Sequence, residues 1–284
     1  MLDRGPWLCY TLNMITANIP FKSFQFPCGE RHVTVDLSLF AQWPTPKQVD
    51  ITFLFRDNAD IFELLLVCDA VQRAGGVLHT LTIPYVPYAR QDRVNTPGES
   101  LSLKVFTDLI NSLKFPVVYI DDPHSDVTTA LLDRVEVNEQ HELLVPLILG
   151  SDIGPFYLVA PDAGALKKTH KLAKALSFLK PCLGVIESSK ERNTATGEIT
   201  GTVVHASGLI RTVTQGDKDI PITYVIADDI CDGGRTFIEL AKELRSMGAE
   251  RVQLFVAHGF FTKGRAVVEQ EIDVVTAFHN HDRA

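Results

Sequence analysis

The chain has 284 residues, which is enough for one large domain or two of ordinary size. Hydrophobic residues make up 45% of it and charged residues 22%, which is typical of a globular protein with a substantial core. The formal net charge of −8 argues against a broad surface for a nucleic-acid backbone. We therefore expect no nucleic-acid partner, and any phosphate must bind in a local pocket.

The spacing of the cysteines and the length of the apolar stretches indicate in which cellular compartment the protein resides. Five cysteines are scattered along the chain without a C-x-x-C pair, which favours a reducing compartment over a disulfide framework or a zinc site. The N-terminus lacks a basic start followed by an apolar run, so we expect no signal peptide. Apolar stretches such as 64–68 are too short to span a bilayer. The sequence therefore predicts a cytoplasmic protein without a membrane partner.

Apolar strand-like runs alternate with helical spacing along the chain. The predicted elements, in chain order, are a helix at 61–68, a strand at 77–83, a helix at 103–113, strands at 117–121 and 156–160, a helix at 166–176, strands at 182–187 and 224–227, a helix from 236 and a strand at 252–257. This alternation predicts an α/β fold with mostly parallel sheets flanked by helices.

The stretch 141–155 follows one α/β series and precedes another. We therefore predict two domains, 1–145 and 146–284.

An acidic turn, VIADDICDGGRT at 225–236, joins a predicted strand to a predicted helix. Ligands of open α/β sheets bind beyond the carboxyl ends of the strands, and glycines let backbone N–H groups approach a phosphate at a helix start. Carboxylates there repel phosphate, so Asp228 and Asp229 are expected to face sugar hydroxyls or a magnesium-bound ligand. The alternative is a simple helix cap, with Asp232 or Thr236 as the capping residue.

This segment resembles the PRPP-binding signature shared by type I phosphoribosyltransferases and the ribose-phosphate diphosphokinases (PRPP synthetases). The resemblance implies that Asp228 and Asp229 contact the ribose hydroxyls. It also implies a 5-phosphate loop formed by Asp232, Gly233, Gly234, Arg235 and Thr236. Arg235 stands where the family has a small residue, so either the loop opens differently or Arg235 adds a charged contact.

The segment PYVPYARQDR at 84–93 distinguishes synthetase from transferase. Arg90 can clamp phosphate oxygens and Gln91 can hydrogen-bond an adenine edge or a ribose, although R-Q-D-R alone is more often a solvated charge cluster. The segment resembles the synthetase motif P-Y-x-x-Y-A-R-Q-D-R almost residue for residue. Upstream, FPCGE at 26–30 resembles the adenine loop F-x-D-G-E of the family, with Cys28 in place of the aspartate. The resemblance implies an ATP site formed by Phe26, Glu30, Arg90, Gln91, Asp92 and His124.

Two further strand ends resemble metal-binding segments of the family. DDPHS at 121–125 resembles H-D-x-H-S, with Asp121 in place of the first histidine. PDAGA at 161–165 resembles S-P-D-x-G-G, with Ala165 in place of the second glycine. The resemblance implies that His124 and Asp162 hold Mg²⁺, with His124 also contacting ATP. Without the family, a single histidine is more often a structural hydrogen-bonding residue.

The segment ESSKERN at 187–193 is followed by a polar, Gly- and Thr-containing stretch that fits a hairpin able to close over a site. The family has D-K-R-R here, at the start of a catalytic flap. The resemblance implies catalytic roles for Lys190 and Arg192 together with His124. Taken alone, the segment is an ordinary charged loop.

The resemblance spans about residues 24–265 and implies two tandem phosphoribosyltransferase-like domains. It further implies the reaction of ATP with ribose 5-phosphate to give PRPP and AMP, and a homo-oligomer with the ATP site near a subunit interface. Two alternatives stay open: a phosphoribosyltransferase that consumes PRPP, and a non-catalytic regulatory or binding subunit.

Overall fold

The computed structural model describes residues 14–41, 46–192, 199–206, 208–215 and 217–281. The chain divides into two compact units, one ending at Val137 and the other beginning at Asn138. The division precedes a helix, Gln140–Gly150, in which the predicted boundary after residue 145 falls. Within the described ranges, no helix combines the length and the apolar character needed to cross a bilayer.

The first unit is built on a mostly parallel sheet. Its strands are β1 Ile15–Ala17, β2 Phe21–Gln25, β3 Arg31–Val35, β4 Gln48–Phe53, β5 Val77–Ile83, β6 Val117–Asp121 and β7 Val135–Asn138. Its helices are α1 Ser38–Ala41, α2 Asn58–Arg73, α3 Ser102–Ser112 and α4 Asp126–Leu131. The main sheet has the order β1-β4-β5-β6-β7, with β4, β5 and β6 parallel and β1 antiparallel. Strands β2 and β3 form a separate antiparallel hairpin.

Helix α2 begins where its sequence supplies a capping box. Asp57 accepts a hydrogen bond from the backbone N–H of Ala59 (2.8 Å), and the Asp60 carboxylate accepts one from the backbone N–H of Asp57 (3.0 Å). Leu64 and Val71, seven residues apart on one face, are fully buried in the core of this unit. The helix thereby holds the sheet and also contacts hairpin strand β3.

The second unit contains a six-stranded sheet in the order β10-β9-β8-β13-β14-β15, which is parallel except for β10. Its strands are β8 Phe156–Ala160, β9 Cys182–Arg192, β10 Ile199–Val204, β11 Thr212–Gln215, β12 Lys218–Pro221, β13 Thr223–Cys231, β14 Arg251–Gly259 and β15 Val274–Asn280. Its helices are α5 Gln140–Gly150, α6 Leu166–Leu176, α7 Arg235–Ser246 and α8 Arg265–Val268.

Strand β13 contributes to a core on each face of this sheet. Tyr224 and Ile226 pack in the same cluster as α7, whereas Val225 and Ala227 pack with α5 and α6. All four side chains are fully buried, because helices cover both faces of a parallel sheet. This packing fixes the strand whose carboxyl end carries Asp228 and Asp229.

The predicted α/β class, with mostly parallel sheets flanked by helices, is confirmed. The predicted strands at 77–83, 117–121 and 156–160 coincide with β5, β6 and β8, and the predicted helix at 166–176 coincides with α6. Strands β9 and β13 run further than their apolar runs predicted, because pairing continues through polar residues.

Candidate active site

The two adjacent carboxylates lie inside β13 rather than in the loop after it. The strand continues to Cys231, and backbone N–H groups bind both carboxylates: Asp229 N donates to Asp228 Oδ1 (2.9 Å) and Ile230 N to Asp229 Oδ1 (2.8 Å). Asp229 is only 6% exposed and Asp228 is partly exposed. Both oxygens are therefore held in place before any ligand arrives.

These carboxylates stand in an unfavourable electrostatic environment. Loss of water around Asp228, together with the neighbouring Asp229 charge, raises the pKa of Asp228 well above its usual range. Asp162, in the loop after β8, adds to this rise in pKa. Its Oδ1 accepts from the backbone N–H groups of Gly164 (3.0 Å) and Ala165 (3.1 Å). A ligand that donates hydrogen bonds, or a cation, would relieve the repulsion.

The glycine pair turns the chain from β13 into α7. Gly234 has φ +76°, and a Cβ there would come 2.4 Å from Val268 Cγ2, so only glycine fits. Gly234 is itself the N-cap of α7, so the alternative in which Asp232 or Thr236 is the N-cap residue is wrong. The start of α7 lies directly after the loop, where a helix favours an anion.

Asp232 is held from the neighbouring strand end. The Thr262 hydroxyl donates to Asp232 Oδ1 (2.7 Å), and the Thr262 N–H donates to the Asp232 carbonyl (3.1 Å). Strand β14 was predicted from the sequence, whereas the loop after it carried no prediction. The sequence does contain a signal for this loop, because HGFFTKG at 258–264 follows an apolar strand and so lies at the same carboxyl edge of the sheet.

In the first unit, the loop after β5 carries the arginine-rich motif. Asp92 is 8% exposed and binds Arg93 through two hydrogen bonds of 2.8 and 3.2 Å. The hydrogen bond to Arg93 is the main cause that lowers the pKa of Asp92 to about 2, and electrostatic interactions with Arg93 and His124 contribute. Arg90 and Gln91 are exposed. The structure thus brings 84–93 and the loop after β6 together.

The turn of the β2–β3 hairpin carries the segment 26–30, which includes Phe26 and Glu30 of the predicted ATP site. Phe26 and Glu30 close its turn, since Phe26 N donates to the Glu30 carbonyl (2.8 Å) and Gly29 has φ +97°. Phe26, Glu30 and Phe62 line a pocket of about 370 Å³. Arg31 ties this end of the hairpin to α2 by ion pairs with Asp60 (3.1 Å) and Glu63.

The predicted flap corresponds to the antiparallel pair β9 and β10. Their backbone register places Lys190 opposite Thr202 and Arg192 opposite Ile199. The side chains of Lys190 and Arg192, and residues 193–198 between the strands, lie outside the described part of the structure.

The acidic residues of the second unit fit a magnesium ion that has few protein ligands. Within the described ranges, no three His, Cys, Asp or Glu side chains converge as a complete metal site. Magnesium is commonly bound by one or two carboxylates, with water and substrate phosphates completing the shell. The mutual repulsion around Asp228 and Asp162 is the kind of environment such an ion would neutralise.

Residues 50–113 match the N-terminal domain of ribose phosphate pyrophosphokinase, and residues 136–282, more than half of the chain, match the phosphoribosyl transferase domain. A ribose-phosphate pyrophosphokinase from Thermococcus kodakarensis is 29% identical over 84% of this chain and 78% of its own length. One from Agrobacterium fabrum is 27% identical over 90% of this chain and 76% of its own length.

Among solved structures, a phosphoribosylpyrophosphate synthetase from Mycobacterium smegmatis aligns with a TM-score of 0.64 at 22% identity. The alignment covers 85% of this chain and 73% of that one, and it shows a shared fold. The family domains matched along both units, together with these relatives, establish that the chain belongs to the ribose-phosphate pyrophosphokinase (PRPP synthetase) family.

Proposed function

We propose that this chain is a ribose-phosphate diphosphokinase, which converts ATP and D-ribose 5-phosphate to PRPP and AMP. One observation carries the proposal. The same chain holds an acidic strand end followed by a glycine loop, and an arginine-bearing loop fixed next to His124. The first suits a sugar phosphate and the second suits a nucleotide triphosphate. A phosphoribosyltransferase that consumes PRPP needs only the first.

On the sugar side, Asp228 and Asp229 would accept hydrogen bonds from the ribose hydroxyls. Backbone N–H groups at Asp232–Thr236 and the positive end of α7 would bind the 5-phosphate. Arg235, which is exposed at the first turn of α7, would add a charged contact. The repulsion that raises the pKa of Asp228 supports a hydroxyl-donating ligand here.

On the nucleotide side, Phe26 and Glu30 would seat the adenine, while Arg90 and Gln91 bind phosphate and ribose. Asp92 would hold this loop in shape, because its carboxylate binds Arg93 and interacts with His124 in the loop after β6. In this proposal the ATP site is completed between two copies of the chain, which would be a homo-oligomer.

In the reaction, the C1 hydroxyl of the sugar attacks the β-phosphorus of ATP. A bond between the C1 hydroxyl oxygen and the β-phosphorus forms as the bond from the β-phosphorus to the oxygen bridging the α-phosphate breaks. AMP leaves, and the hydroxyl proton is released. Lys190 and Arg192 would stabilise the charge that develops on the transferred group. His124 and Asp162 would each offer a ligand to Mg²⁺, which supplies charge neutralisation at the phosphate oxygens when bound.

The test is to incubate the protein with ATP, Mg²⁺ and ribose 5-phosphate and to measure AMP by chromatography and PRPP by ³¹P NMR. Stoichiometric formation of both is expected. AMP-free mixtures under varied phosphate concentrations would contradict the proposal. PRPP consumption with a nucleobase would indicate a transferase, and ATP binding without turnover would indicate a regulatory subunit.

Lys190→Ala provides a matched test of the flap. Turnover should fall by about two orders of magnitude or more, because the charge acts in the transition state. ATP affinity, measured by calorimetry, should stay nearly unchanged. Lys174→Ala, on the exposed side of α6, is the control for loss of one positive charge. An equal loss of binding and turnover would show that Lys190 only binds ATP.

A further inference from the structure

The turn after β14, residues 260–264, is fastened to the loop proposed for the 5-phosphate. The N–H groups of Phe260 and Phe261 both donate to the Cys231 carbonyl, at 2.8 and 3.3 Å. Thr262 adds its backbone and hydroxyl bonds to Asp232. Four hydrogen bonds therefore fix the position of this turn relative to the loop.

The side chain of Lys263 extends from this turn over Gly233 of the loop proposed for the 5-phosphate. A Cβ built on Gly233 would lie 3.4 Å from Lys263 Cε and 3.5 Å from its Cδ, so the lysine stem runs in van der Waals contact range over that glycine. The turn closes behind it through the bond from Gly264 N to the Phe261 carbonyl (2.7 Å). Gly264 has φ +86°, which favours glycine at this position.

In the described part of the chain, the positive charge of Lys263 is not neutralised by an ion pair. The residue is exposed, and no carboxylate there forms an ion pair with its ammonium group. The neighbouring loop is acidic on balance: Asp228 and Asp229 end β13 just before it and Asp232 begins it, whereas Arg235 is its only basic residue. A sugar phosphate that enters this loop therefore meets more negative than positive charge unless a cation covers it.

We propose that Lys263 is a binding and specificity residue for the sugar phosphate, with Nζ donating to an oxygen of the 5-phosphate over Gly233. This inference rests on the proposed function to the extent that the loop binds a sugar phosphate. A lysine acts as a point charge on a flexible stem, which suits capture of a phosphate dianion without demanding one fixed geometry. The stem contact with Gly233 limits where that charge can reach.

The experiment compares Lys263→Met with the wild-type chain. Methionine keeps an unbranched stem over Gly233 and removes the charge. The expected result is that affinity for ribose 5-phosphate, measured by calorimetry without ATP, falls about tenfold or more. Affinity for unphosphorylated D-ribose and for ATP should not change. Lys263→Arg should restore most of the lost affinity, and Lys174→Met is the matched surface control.

The outcomes separate this inference from the proposed function. Weaker ribose 5-phosphate binding by the methionine variant supports the role of Lys263, even if the wild type forms no AMP. Equal binding by wild type and variant overturns it, even if the wild type forms PRPP normally. Loss of ribose and ribose 5-phosphate affinity in equal measure would show a structural role and would also overturn it. A wild-type chain that binds no ribose 5-phosphate overturns it as well.

Discussion

At Asp228, stable folding and the proposed binding of a sugar impose opposite requirements. Its carboxylate is crowded by protein and lies beside Asp229, so the folded chain disfavours the ionised form. An ionised carboxylate is nevertheless the stronger acceptor for sugar hydroxyls. Residues kept at such a cost to stability are expected at binding sites.

Asp228→Asn should therefore stabilise the protein and abolish its activity. The amide keeps an acceptor for Asp229 N–H and removes the charge, so we expect the unfolding free energy in urea at pH 7–8, with EDTA, to rise by about 1 kcal/mol or more. The folded-state pKa lies above the unfolded value, so the gain should shrink as pH falls and vanish near pH 4. Asp152→Asn, at an exposed position, is the control. A destabilised variant at pH 7.5 would contradict this account.

The two glycines of the proposed phosphate loop should respond differently to substitution by alanine. Gly234→Ala should cost about 1–3 kcal/mol of unfolding free energy, because φ is positive and the new methyl would meet Val268 at 2.4 Å. Gly233→Ala should leave stability nearly unchanged, since its nearest neighbour is the flexible Lys263 stem at 3.4 Å. The KM of the Gly233→Ala variant for ribose 5-phosphate should rise, because the new methyl group occupies the side of the loop where the 5-phosphate is proposed to bind. Equal stability of the two variants would show that Gly234 is not strained.

At the scale of elements, apolar runs predicted the strands that carry the site, and the misses have physical reasons. Helix α5, at 140–150, is apolar nearly all round and contains Pro146, so it shows no helical period. The β2–β3 hairpin is mostly exposed and lacks a buried face to create alternation. The contacts from Thr262 to Asp232 span strands that lie far apart in sequence, so no local pattern indicates them.

The ends of β14 and β15 place three histidines together. His258 and His279 are paired in register, with ring centroids 5.3 Å apart, and His281 Nε2 lies 3.4 Å from His258 Nδ1. The Phe260 ring stacks on His281 at 4.5 Å. Burial, and then the neighbouring histidines, lower the pKa of His281 to about 3.

This cluster should make stability fall in acid. Between pH of about 6.5 and 3 the unfolded chain binds a proton at His281 that the folded chain does not, so lowering the pH reduces the unfolding free energy by up to about 1.4 kcal/mol per pH unit. His281→Gln should flatten this slope, measured by urea unfolding at pH 7.5 and 5.0. His170→Gln, on the exposed side of α6, is the control. Identical slopes in the wild type and His281→Gln would exclude His281 as the origin.

At the scale of the whole molecule, the proposed ATP site is shared between two copies of the chain. The residues proposed to bind the nucleotide lie on two separate parts of the first unit, the β2–β3 hairpin and the loop at 84–93. Phe24 and Phe26 on the hairpin are 47% and 44% exposed, and Arg90 is exposed as well. Such surfaces fit the proposal that the hairpin of one copy completes the ATP site of another.

Mixing two inactive variants tests that proposal. A Phe26→Ala/Glu30→Ala chain lacks the hairpin contacts, and an Arg90→Ala chain lacks the phosphate clamp. In a shared site, each mixed dimer contains one composite site built from intact parts, so refolding equal amounts together should restore about a quarter of wild-type activity. Mixing Arg90→Ala with Gln91→Ala is the matched control, because both changes fall on the same side of the site and cannot complement. If the first mixture stays as inactive as its parents although the chains exchange, each ATP site is built within one chain.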